Sequence, residues 1–283
     1  MSGTSVARDR GNALETVFGR TRGVLIGVVH LLPLPGSPDY DGGGVTAIYD
    51  RALGDARAYA EAGFDGLIVE NHGDIPFAKP EDIGPETAAH MAVASDLIRR
   101  ELGLPIGINV LANAALHALA IASASGARFV RVNQWANAYV ANEGVIEGAA
   151  AKALRYRSLL RVPELRVFAD AHVKHGAHAI VQDRPVAELV RDVEFFNADV
   201  VVATGQRTGH AADLDYIRGI KDATSLPTLV GSGVTPENVK SILGVVDGVI
   251  VASALKTGGT WWNPVDSASA RRFVSVARAE QRS

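Results

Sequence analysis

The stretch Pro227-Thr-Leu-Val-Gly-Ser-Gly-Val-Thr-Pro-Glu-Asn238, with its shorter companion Asp247-Gly-Val-Ile-Val-Ala-Ser-Ala254, decides how the chain is read. Each is a short β-branched run that stops abruptly at small residues, the pattern of a buried strand entering a tight turn. The first then offers Thr235, Pro236 and Glu237 as N-cap, first-turn proline and first-turn acid of a following helix. Glycine lets backbone N–H groups approach an anion closely, and a helix N-terminus adds positive potential. Gly231, Ser232, Gly233, Ser253 and Ala254 are therefore expected to cradle a phosphate, with Lys256 neutralising its charge.

Upstream the same alternation recurs. Apolar strands are predicted at 24–30, 66–71, 105–110, 128–133, 165–174, 199–204, 227–231 and 248–253. Between them helical patterns cover 45–62, 85–102, 114–125, 147–160, 186–196, 213–223, 236–243 and 265–279. Strands alternating with helices imply parallel βαβ units, and eight of each favour a closed (β/α)8 TIM barrel, an α/β single domain over 23–283. Residues 1–22 form a polar leader whose short helix, at 12–19, would cap the barrel floor. An open Rossmann-like sheet is the competing fold, but the first strand runs into Leu31-Leu-Pro-Leu-Pro-Gly-Ser-Pro38 where a Gly-x-Gly-x-x-Gly turn would be needed. In this frame the opening stretches become the ends of the seventh and eighth barrel strands, where many barrels bind phosphate.

Composition narrows the function classes. At 283 residues with 47% hydrophobic content, the chain can bury one large core. Its net charge of −3 gives no basic patch for nucleic acid. With zero cysteines there is no disulfide, thiolate nucleophile or zinc–cysteine site. The polar start lacks the apolar core of a signal peptide, and no apolar run reaches the roughly 18 residues of a membrane span. The expectation is a cytoplasmic protein without a transmembrane segment, taking a small phosphorylated metabolite as partner; a homo-oligomer is left open.

Side chains on a strand alternate, so residues two apart share a face. The first five predicted strands carry His30, Glu70, Asn109, Asn133 and Asp170 near their loop ends, above a mostly apolar layer. Buried polar groups cost free energy unless partnered, so a polar ring at this level is either a closed hydrogen-bond network or a working site. Asp170-Ala-His172-Val-Lys174 spaces three ionisable groups two apart. They would share a face if the strand continues, ready for acid–base work by Asp170 or His172, or for a Schiff base on Lys174. If the chain leaves the strand after Asp170, His172 and Lys174 become loop residues. Glu70 is either a catalytic base or the partner of Arg131 in an internal ion pair. Glu70, Asp170, His30 and His72 are also of the right types for a divalent metal, although no His-x-x-x-His or Glu-x-x-His spacing supports one and no cofactor is firmly predicted. Three features carry less weight: the segment 133–144 as an amide-rich lid, Arg207 as an anion contact on the 204–210 loop, and Trp261 and Trp262 as packing groups.

Several pieces together resemble the BtpA/SgcQ family of (β/α)8-barrel proteins. They are Gly27-Val-Val-His-Leu-Leu-Pro-Leu-Pro-Gly-Ser-Pro38, Gly66-Leu-Ile-Val-Glu-Asn71, Gly107-Ile-Asn-Val-Leu-Ala-Asn113, Phe129-Val-Arg-Val-Asn133 and Phe168-Ala-Asp-Ala-His-Val-Lys-His175. Gly231-Ser-Gly-Val-Thr235, Ala252-Ser-Ala-Leu-Lys256 and Asn263-Pro-Val-Asp266 complete the set. The resemblance implies two functions. One is a phosphosugar enzyme with isomerase or lyase chemistry, since a member is associated with a sugar-uptake phosphotransferase cluster. The other is a non-catalytic assembly factor with a vestigial or sensing site, since the family is named for a cyanobacterial protein linked to photosystem I.

Overall fold

The computed structural model describes residues 11–173, 176–204 and 213–279. Eight parallel strands close into a barrel, in the order β1 (Val24–His30), β2 (Gly66–Glu70), β3 (Ile106–Asn109), β4 (Phe129–Val132), β7 (Arg166–Asp170), β8 (Val200–Thr204), β9 (Thr228–Gly231) and β10 (Gly248–Val251), with β10 pairing back onto β1. The two remaining strands, β5 (Ala138–Ala141) and β6 (Gly144–Glu147), form an antiparallel hairpin in the loop after β4. Outside the barrel lie α2 (Thr46–Ala62), α3 (Pro85–Leu102), α4 (Ala115–Ser125), α5 (Ala150–Leu159), α6 (Val186–Phe195), α7 (Leu214–Asp222), α8 (Val239–Leu243) and α9 (Ser267–Arg278). Gly103 and Gly126 end α3 and α4 at φ 66° and 73°, where a side chain would clash with its own backbone. No helix among the described residues is long and apolar enough to cross a membrane.

The barrel interior is a packed plug. Ile26 and Val28 of β1 meet Ile68, Phe168, Val202 and Ile250 from other strands in one buried cluster. Phe129 and Phe168 stack at 4.3 Å between ring centroids. Gly107 makes room for them, because a Cβ there would lie 2.2 Å from the Phe129 ring. The floor is closed by α1 (Ala13–Phe18), which buries Leu14 and Val17 against the plug. Asn12 caps it, its side-chain oxygen accepting the Leu14 N–H at 2.9 Å.

One device recurs at the lower rim. Asp65, Asp199 and Asp247 each stand just before a strand, and each accepts a backbone N–H from the neighbouring strand: Leu25 at 2.7 Å, Val167 at 2.8 Å and Thr228 at 2.8 Å. Each is also held by a cation, Arg278 at 2.7 Å, Arg166 at 3.2 Å and Lys221 at 2.6 Å respectively. These aspartates staple adjacent strands together at the end of the barrel away from the long loops.

Three departures from the sequence reading have local causes. The hairpin was not expected, since 133–144 reads as an amide-rich lid. β7 stops at Asp170, after which the chain bends away. The helix expected to open at Thr235 begins only at Val239. Asn238 accounts for the delay: its side chain accepts the Thr235 N–H at 2.8 Å and donates to the Gly233 carbonyl at 2.8 Å, fixing a turn in place of a helical N-cap.

Candidate functional site

Strand register assembles the upper polar layer. His30 stands level with Glu70, and Glu70 with Asn109, so three consecutive strands deliver three polar side chains in one row above Val28, Ile68 and Gly107. Glu70 is the hub. Its Oε2 accepts from Asn109 Nδ2 at 2.6 Å, and its Oε1 accepts from His72 Nδ1 at 3.0 Å and faces His30 Nε2 at 3.7 Å. Burial alone would raise the Glu70 pKa; the His72 hydrogen bond and the surrounding His72, His30 and Arg131 more than reverse this and hold it well below the usual carboxylate range. The His30 pKa falls to about 4, chiefly through burial and despite the pull of Glu70, so the ring is neutral at pH 7. The two imidazoles stack at 4.5 Å with an 18° tilt, and Trp261 closes on His72 edge to face at 4.5 Å.

A second network sits beside the first. Arg131 binds Asp170 with both arms, Nε to Oδ1 at 3.0 Å and a terminal nitrogen to Oδ2 at 3.0 Å, while Asn133 Nδ2 adds a bond of 3.1 Å to Oδ2. The expected alternative of an Arg131–Glu70 pair is thus replaced by Arg131–Asp170. Its reason is adjacency: β4 and β7 are hydrogen-bonded neighbours, whereas β3 separates β4 from β2. Burial works against the guanidinium, but Asp170 raises its pKa, so the cation is permanent. Both networks leave acceptors unused, since buried Asn109 Oδ1 and Asn133 Oδ1 have no hydrogen-bond partner.

These groups line a cavity of about 680 Å³ at the carboxyl ends of the strands. Its opposite wall is formed by the turns after the last two strands: Ser232, Gly233 and Val234 after β9, and Ala252, Ser253 and Ala254 after β10. Among the described residues no backbone hydrogen bond is donated by Gly233, Val234, Ser253 or Ala254. Ser232 holds φ at 93°, a left-handed conformation unusual for a side-chain-bearing residue and one that concentrates at functional sites.

The sequence candidates divide accordingly. His30, Glu70, Asn109, Asn133, Asp170, Ser232, Gly233, Ser253 and Ala254 meet on this cavity. Gly231 lies just below it inside β9, where a Cβ would come within 3.1 Å of Val202. Lys256 turns away: its Nζ binds Asp55 Oδ2 at 2.6 Å with the side chain 0% exposed, so its charge is spent inside the protein and not on a ligand. Burial lowers its pKa against the pull of Asp55. His172 does not extend the face of Asp170; it stacks on His178 at 3.7 Å, and burial, then His178, lowers its pKa to about 4. Lys174 and Arg207 lie outside the described residues. The reading missed the hairpin, which brings Tyr139 and Glu143 to the cavity. The alternating Ala138-Tyr-Val-Ala141 and Gly144-Val-Ile-Glu147 around Asn142-Glu143 carry that signal.

The residues suited to a metal are His30, Glu70 and His72, whose donor atoms all lie within 4.8 Å of one another. Asp170, expected as a further ligand, is committed to Arg131 and Asn133.

Known proteins resemble the chain at two levels. In fold, N-(5'-phosphoribosyl)anthranilate isomerase from Pyrococcus furiosus superposes with a TM-score of 0.56 at 14% identity, over 90% of this chain and 98% of that one. In sequence, a protein of Archaeoglobus fulgidus is 44% identical over 90% of this chain and 98% of its own. The photosystem I biogenesis protein BtpA of Synechocystis is 37% identical over 91% of this chain and 88% of its own. Residues 21–279 match the BtpA family as a whole, and the chain belongs to that family.

Proposed function

We propose that the chain is an enzyme acting on a phosphorylated sugar or nucleoside-like metabolite, with isomerase or lyase chemistry. The observation that carries this reading is the two-sided cavity, with unbonded backbone amides of Gly233, Val234, Ser253 and Ala254 on one wall and a fixed polar array on the other. Backbone N–H groups suit a phosphate because they are rigid and carry no opposing side chain. A phosphate seated there places the carbons of its ligand over Glu70, Asn109 and Arg131. Arg131, oriented by Asp170, would stabilise oxyanion charge, and the Glu70 cluster would move the proton. The free acceptors Asn109 Oδ1 and Asn133 Oδ1 would receive ligand hydroxyls. The fold neighbour named for a phosphoribosyl compound is consistent with this substrate class. Cytoplasmic residence belongs to the same reading.

Thermal melts with sugar phosphates, nucleotides and their unphosphorylated counterparts test it. Only phosphorylated compounds should raise Tm, and Gly233→Asp should remove the shift by placing a carboxylate where the anion sits. No shift with any phosphorylated compound overturns the reading. The name of the Synechocystis relative favours a second reading, a non-catalytic assembly factor with a sensing site. A ligand that binds but is never turned over selects it.

A further inference from the structure

The His30–Glu70–His72 cluster brings three donor atoms within 4.8 Å of one another on the cavity wall. His30 Nδ1 lies 3.1 Å from the Trp261 carbonyl, and a carbonyl can only accept, so the proton is on Nδ1. Nε2 is then the ring nitrogen turned toward Glu70 Oε1, at 3.7 Å, longer than a hydrogen bond. A buried imidazole nitrogen and a buried carboxylate oxygen that converge without bonding each other leave room for a cation between them. His72 Nδ1 lies 3.0 Å from the same oxygen, on the same side as the stacked His30 ring.

We propose that His30 Nε2, Glu70 Oε1 and His72 Nδ1 bind a divalent transition-metal ion of the zinc–manganese class, with its remaining positions open to the cavity. The donor set is the first argument: two imidazoles and one carboxylate suit such ions better than magnesium or calcium, which prefer oxygen. Spacing is the second. Donors at about 2.1 Å from an ion in tetrahedral array stand about 3.4 Å apart, and the two separations from Oε1 bracket that value. The third is the outer shell. A histidine ligand usually donates its other ring N–H to a carbonyl or carboxylate, as His30 does to Trp261, and Asn109 holds the second oxygen of Glu70 at 2.6 Å. Ring stacking between His30 and His72, closed by Trp261, fixes both imidazoles before any ion arrives. Loading requires that His72 present Nδ1 without its hydrogen, which the other ring nitrogen can carry. The ion would polarise a hydroxyl or carbonyl oxygen of a ligand in the cavity. Its ligands lie on β1, β2 and the loop after β2, apart from the amides after β9 and β10, so the proposal does not depend on the phosphate.

The test uses the full chain after treatment with a chelator, titrated calorimetrically with zinc chloride and manganese chloride. One ion per chain is expected, with binding at least tenfold weaker in Glu70→Gln and in His72→Ala. Cobalt(II) provides a second readout, an absorption band of nitrogen- and oxygen-ligated cobalt that is lost in both variants. His72 is partly exposed, so His72→Ala keeps the test alive if changes at buried Glu70 disturb folding. Failure of the wild-type chain to bind any of the three ions, or equal affinity in wild type and both variants, overturns the proposal. Inorganic phosphate added to the chelated protein separates the two readings. A phosphate shift without metal binding leaves only the phosphate site standing, and metal binding without a phosphate shift leaves only the metal site.

Discussion

The two ends of the barrel use charged side chains in opposite ways. At the lower rim Asp65, Asp199 and Asp247 are saturated, each holding a strand N–H and a cation at once. At the mouth Glu70 and Asp170 are also hydrogen-bonded, yet their neighbours Asn109 and Asn133 keep buried acceptors unpartnered and the wall beyond them offers unbonded amides. Both ends carry buried polar groups, so burial does not distinguish them. The difference lies in the acceptors: the rim carboxylates are each taken up by a strand N–H and a cation, whereas the mouth keeps amide oxygens that the proposed function assigns to ligand hydroxyls.

Mutations should separate the ends. The largest effect is expected at the rim, where Asp199→Ala strips the Val167 N–H and leaves Arg166 without its carboxylate. Breaking such a buried pair costs about 3–5 kcal/mol, read by urea unfolding, while the ligand-induced melt shift should persist. A loss below about 1 kcal/mol would remove the structural role assigned to the rim. At the mouth the pattern should invert. Glu70→Gln keeps the shape and one acceptor but turns an N–H toward a donor, so it should cost about 1–3 kcal/mol, less than at the rim, while turnover falls about 100-fold or more. If turnover of an identified substrate is untouched, Glu70 has no catalytic part.

Ser232→Gly sharpens the contrast within the mouth. Glycine accepts a φ of 93° without strain, so stability should hold or rise by up to about 1 kcal/mol. Phosphate affinity should stay within about threefold if the backbone carries the site; loss of binding would assign it to the hydroxyl. The smallest effect concerns His172, whose pKa of about 4 lies below the ordinary 6.5. Between those values the unfolded chain binds a proton that the folded chain does not, so stability falls as pH drops through the window. His172→Gln should reduce the slope in that window without abolishing it, since His30 is lowered to about 4 as well, measured by melts from pH 7 to pH 4. An unchanged slope would show that burial of this ring is not felt.

The sequence makes the rows visible but not the columns. Period-two alternation along the strands puts His30, Glu70, Asn109, Asn133 and Asp170 on one inner face, because a strand leaves its side chains no other choice. Which of them touch depends on register and on which strands are neighbours. That is why Arg131 was weighed against Glu70 and is found on Asp170. Lys256 shows the same limit from the other direction. It directly follows the last barrel strand's small residues, as a phosphate lysine would, yet Asp55 on α2, distant in sequence, claims its ammonium. His72 reads in the sequence as a loop residue of a type suited to a metal, and its contact with Glu70 comes from the fold of that loop.

The central claim, that the ligand's phosphate sits on the backbone wall and not on the side-chain wall, has a direct test in amide NMR. Titrating inorganic phosphate into the labelled chain should move the backbone resonances of Gly233, Val234, Ser253 and Ala254 with one common affinity, leaving those of Asn109 and Arg131 nearly still. Shifts centred on Arg131 and Asp170, with those four amides unmoved, would contradict it.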